Sequence, residues 1–112
     1  MSHLVISAHA SLLAPEAERE LLQWLEELGL EIELGEAAHL VAFDDADNRS
    51  LIVEADFYPL QPVGSTQVRI HIHRTQDPER SADELAAELR ERIGADGRWS
   101  EDGFQSEAVG RG

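Results

Sequence analysis

Cysteine and lysine are both absent from this chain. Without cysteine there is no disulfide scaffold, no thiolate zinc site and no cysteine nucleophile. Without lysine the nine basic residues are all arginine, set against 23 acids, and the formal net charge is −14. A field of that sign repels nucleic acid and anionic membranes and attracts cations and basic protein surfaces. The missing lysine matches a GC-rich coding bias and carries no functional information. No apolar run approaches the length of a membrane-spanning helix. The start, MSHLVISAHA, has no basic segment, and Ser7 and His9 interrupt its apolar run. It does not read as a signal peptide, so a cytoplasmic location is expected. There is no G-x-S-x-G, no phosphate-cradling glycine loop and no H-E-x-x-H.

Within 112 residues, 42% of them hydrophobic, a single domain with a real core is expected. The clearest element is Gln67–Arg74. Val68, Ile70 and Ile72 alternate with Arg69, His71 and His73, the period-2 pattern of a half-buried strand. It is expected near the middle of an antiparallel sheet, with helices on its apolar face.

Other elements follow from periodicity. His3–His9 reads as a first strand, with mixed faces that suggest burial on more than one side. Pro15–Leu28 reads as a helix with Ala17, Leu21, Trp24, Leu25 and Leu28 on one stripe, Pro15 in its first turn and Gly29 at its left-handed end. Leu30–Leu34 alternates with Glu31 and Glu33 outward. Ala38–Phe43 and Leu51–Phe57 flank the polar Asp44–Asn48 turn as a hairpin. Two prolines and a glycine make 58–65 a loop. A second helix is expected to start at Asp77-Pro78 or at a Ser81/Glu84 capping box. It runs to Ile93, with Ala82, Leu85, Ala86, Leu89 and Ile93 inward and Gly94 closing it. Residues 97–105 suggest a short strand, or a hairpin whose turn is Ser-Glu-Asp-Gly between Trp99 and Phe104.

The order is β-α-β-β-β-β-α-(β). It predicts a two-layer α+β sandwich, a mostly antiparallel sheet of four to six strands with two helices on one face. A ferredoxin-like variant fits that order. Residues 1–105 form the domain, and 106–112 are expected to fray.

Acidity is the leading functional signal. Residues 1–56 carry −11 of the net charge and residues 57–112 only −3. Glu16, Glu20, Glu26, Glu27, Glu31 and Glu33 are the candidate partner-binding residues on the first helix and the strand after it. The leading expectation is a non-enzymatic binding module. It would dock on, and inhibit, a basic protein, including a nucleic-acid-binding one whose groove it fills in place of phosphates. Neither direct nucleic-acid binding nor membrane binding is expected, and a homodimer is compatible with the sequence. The bland counterpart is solubility by net charge.

The alternative lies on the polar sheet face. His71 and His73 point the same way about 7 Å apart along the strand. Both imidazoles can reach one metal, and Glu54 or Asp56 can add a carboxylate. This would make the chain a metal- or small-ligand-binding protein, or an enzyme. Zinc needs three or four such ligands, and no third is marked in sequence. Cross-strand pairing of histidines and arginines with acids therefore ranks first, and neither a bound transition metal nor a cofactor is expected. The Asp44–Asn48 turn fails the calcium-loop pattern, because Arg49 and Ser50 stand where an oxygen ligand and a glycine belong.

Overall fold

A computed structural model describes residues 2–34, 38–44, 51–61, 64–74 and 82–108. Its elements are β1 (Ser2–Ala10), α1 (Ala14–Glu27), β2 (Glu31–Leu34), β3 (His39–Phe43), β4 (Leu51–Leu60), β5 (Ser65–Arg74), α2 (Ala82–Ala95) and β6 (Trp99–Ala108). The six strands form one sheet in the order β2-β3-β4-β5-β1-β6, and every neighbouring pair is antiparallel. Both helices pack on the same face of that sheet. This is the expected α+β sandwich. β1 lies between β5 and β6, and the meander separates β1 from β2, so the two β-α-β units interlock. That is a ferredoxin-like plan with its meander lengthened by two strands.

The apolar sets read from the sequence form the core. Leu4, Ile6, Ala8 and Ala10 of β1 lie beside Val68, Ile70 and Ile72 of β5 and Leu51, Val53, Ala55 and Phe57 of β4. Ala17, Leu21 and Leu25 of α1 and Ala82, Leu85, Ala86, Leu89 and Ile93 of α2 close over them. Trp24 and Leu28 are only half-buried at the edge of this layer. Gly29 takes φ +88° just beyond α1, the left-handed position that glycine fills without strain. β5 has partners on both sides, as a central strand must.

Four local expectations are corrected. The second face of β1 is not buried; Val5, Ser7 and His9 are half-exposed, and what encloses the strand is pairing along both edges. The loop assigned to 58–65 shrinks, because β4 continues through Pro59 to Leu60. Phe57 N–H donates to Ala38 C=O at 3.1 Å on the β3 side. Two residues on, the nitrogen of Pro59 faces that same side, where β3 has ended, so no ladder bond is lost. Gly94 does not close α2, which runs on to Ala95. Finally, Ser100–Gly103 is no turn. β6 is one strand along β1, with a register shift that leaves Asp102 as an extra residue between the pairs Ala8–Glu101 and Ser7–Gly103.

The Asp77-Pro78 and Ser81 capping signals, Asp45–Asn48 of the polar turn and residues 109–112 of the tail lie outside the described residues. β6 itself reaches Ala108, opposite Ser2. Among the described residues, no helix is long and apolar enough to cross a membrane.

Candidate metal centre on the open sheet face

The helices cover one face of the sheet, so the alternate residues of every strand line the other. Antiparallel register sets their neighbours. His3 of β1 is directly opposite His73 of β5, and Val5 is opposite His71. On the far side of β5, Glu54 faces His71 and Asp56 faces Arg69. One strand further out, His39 faces Asp56. Directly opposed side chains and their diagonal neighbours are within contact range on an antiparallel pair. Four of the five histidines and two carboxylates therefore share one patch.

Three of these histidines form a cluster. One ring nitrogen from each of His3, His71 and His73 can be chosen so that all three lie within 4.8 Å of one another. His3 Nε2 and His71 Nδ1 are 2.9 Å apart, a hydrogen bond in which one ring donates and the other accepts. The His3 ring stacks on His73 at 4.5 Å between centroids and on His71 at 5.1 Å. A ladder of polar contacts leads away from the cluster. His73 Nε2 lies 3.3 Å from Glu54 Oε1, and Glu54 Oε2 lies 3.7 Å from His39 Nε2. His39 Nδ1 donates to Asp56 Oδ1 at 2.8 Å.

The surroundings of His71 and His73 favour their neutral rings. Burial is the main force holding His71 below the ordinary histidine range; repulsion from His3, His73 and Arg69 adds to it, and Asp56 opposes it. His73 is lowered first by burial and then by His3, against Glu54. A neutral imidazole has the free lone pair that a metal needs, so binding there demands little proton release.

Sequence reasoning placed His71, His73, Glu54 and Asp56 on one face, and the structure brings them together there. It missed His3. The only signal was that His3 occupies the polar face of its own strand. Its position beside His73 comes from pairing strands almost seventy positions apart in sequence.

The acidic candidates are divided. Glu16 accepts from the Leu13 N–H at 3.2 Å and so caps its own helix. Glu20 accepts from the Trp99 indole N–H at 3.2 Å and pairs with Arg98. Glu27 pairs with Arg92 of α2, a contact that holds its carboxyl below the usual range. Glu26 is exposed on α1. Glu31 and Glu33 stand on the edge strand β2, in the rows of Phe43 and Val41, which belong to the open face. The six glutamates thus fall on opposite layers of the sandwich and do not make one surface. On the helical side, the described residues also include an open cleft lined by Trp24, Arg92, Ala95 and Asp96, which holds no comparable cluster of metal ligands.

Comparison with protein-family models, with curated proteins and with solved structures found no match.

Proposed function

We propose that this protein binds a divalent transition-metal ion on the open face of its sheet through His3, His71 and His73. The observation that carries the reading is the convergence of three imidazole nitrogens within 4.8 Å. Three protein ligands plus a water is the composition of open zinc sites. Two donors on one tetrahedral ion are separated by about 3.3 Å when each bond is about 2.0–2.1 Å. Closing the widest nitrogen pair onto an ion therefore takes a shift of about 1.5 Å, within reach of side-chain rotation on a half-exposed face. The strands beneath are rigid: β1 and β5 are each paired on both edges. The overall negative charge draws cations toward the site.

Metal-free, His3 and His71 satisfy each other through their own hydrogen bond. The test is elemental analysis and calorimetric titration of untagged protein with zinc and cobalt. Wild type is expected to bind one equivalent. H3A and the H71A/H73A double variant are expected to lose stoichiometric binding, along with the rise in thermal midpoint that a ligand of the folded state confers. Equal metal content in wild type and variants would sink the reading.

A further inference from the structure

We infer that Glu54 is the fourth ligand of this centre, making it a three-histidine, one-carboxylate site, and that His39, fixed by Asp56, positions Glu54. The inference rests on the metal-binding reading above. Glu54 reaches the cluster from β4, on the side of β5 away from His3. Its Oε1 is 3.3 Å from His73 Nε2. Neighbouring donors around a tetrahedral ion, with bonds of about 2.0–2.2 Å, are about 3.3–3.6 Å apart. This contact has the span of two ligands in one coordination sphere. Glu54 lies outside the three-histidine set, so its carboxylate has to swing toward His3 and His71 to join them.

The other oxygen of Glu54 faces His39, at a distance longer than a hydrogen bond. Asp56 accepts the Nδ1–H of His39 at 2.8 Å, which fixes the ring and turns its Nε2 toward Glu54 Oε2 at 3.7 Å. Metal-bound carboxylates take such outer-sphere support, and its loss weakens the site without changing the ligands. His39 stands on β3, two strands from His71 and His73, and lies outside the three-histidine cluster.

A carboxylate in the set changes the chemistry. It adds a hard oxygen donor and lowers the charge of a divalent centre from about +2 to +1. Zinc, cobalt, iron(II) and manganese all accept mixed nitrogen and oxygen ligands. Four protein ligands fill a tetrahedral sphere, so water or a small anion would bind only as a fifth ligand, from the side that no helix among the described residues covers.

The same contacts without a metal role are a ladder of ion pairs from His73 through Glu54 and His39 to Asp56. Cobalt(II) titration of the untagged full chain separates the two, because cobalt absorption reports its ligand set. Wild type, E54Q, H39A and D56N are compared, with circular dichroism confirming that each is folded. E54Q is expected to lose more than about 10-fold in affinity and to alter the visible spectrum. H39A and D56N are expected to weaken binding by about 10–100-fold and leave the spectrum as in wild type. If E54Q retains wild-type affinity and spectrum, Glu54 is outside the sphere and this inference falls, while the three-histidine site stands. A changed spectrum in H39A would overturn the positioning role. Absence of any cobalt or zinc binding in wild type would overturn the metal-binding reading and this inference together.

Discussion

Glu20 carries two contacts that its place in a glutamate-rich helix does not announce. Its carboxylate accepts the indole N–H of Trp99, a residue only 4% exposed, and meets the Arg98 guanidinium outside. The exposed Arg98 pair adds little, as surface ion pairs do. The indole bond matters more, since a buried donor left without a partner costs about 1–3 kcal/mol. E20A is therefore expected to lower stability by about 1–3 kcal/mol in urea titration, and E26A on the same helix by less than about 0.5 kcal/mol. Equal, small effects from the two would show that Glu20 is surface charge alone. The same logic separates His3 from His9. Both occupy the polar face of β1, yet only His3 falls opposite a histidine; His9 falls opposite Gln67.

At the scale of the element, β6 shows how one inserted residue decides which side chains are buried. Trp99 and Phe104 are five apart, so on a regular strand they point to opposite faces. Here both are on the helix side. Trp99 pairs opposite Ala10 and is buried, and Phe104 pairs opposite Ile6, with Arg90 of α2 at 4.3 Å from the ring centroid. The bulge at Asp102 restores the parity. Arg90 also holds Glu101 at 2.6 and 3.1 Å, tying helix to strand on the same side. Deleting Asp102 is expected to force one aromatic to the open face. The half-buried Phe104 is the cheaper one to move, because full loss of a buried Trp costs about 3–5 kcal/mol. The deletion should thus cost more than D102A, which keeps the residue count and should stay within about 0.5 kcal/mol of wild type. Equal stability of the two variants would show that the bulge does not set the faces. The bulge serves the edge as well, since an irregular outer strand is a poor template for another chain. At the opposite edge, β2 has only four residues, and Glu31 and Glu33 are two of them.

Across the whole molecule, the net charge of −14 acts on every element at once. Self-repulsion of that size destabilises the compact state. Ion pairs such as Arg92–Glu27 between the helices and Arg90–Glu101 between helix and sheet offset part of it. Repulsion sums over many distant pairs, whereas each surface pair contributes little. Raising NaCl to about 1 M, where the screening length is about 3 Å, is therefore expected to raise the urea midpoint of the metal-free protein. A fall in the midpoint would mean that the ion pairs outweigh the repulsion.

What the sequence determined by itself is the local pattern. Period-2 alternation in β4 and β5 and the 3.6-residue stripes of both helices mark their buried faces, because burial acts on each residue through the geometry of its own element. The element order then leaves few layer arrangements, and the α+β sandwich follows. Local rules failed where a neighbour decided the outcome. Pro59 stays in a strand because the adjacent strand has already ended. Gly94 stays in a helix, and Ser100–Gly103 is drawn out along β1. Of the candidate centre, the sequence marked His71 and His73 and offered Glu54 or Asp56 as a neighbour, and the tertiary structure supplied the rest. His71 and His73 are neighbours by sequence, but His3 joins them only through the β1–β5 register, and Glu54 and His39 only through the meander. Backbone hydrogen bonds between strands distant in the chain fix those registers, and no periodicity within a single strand encodes its partner.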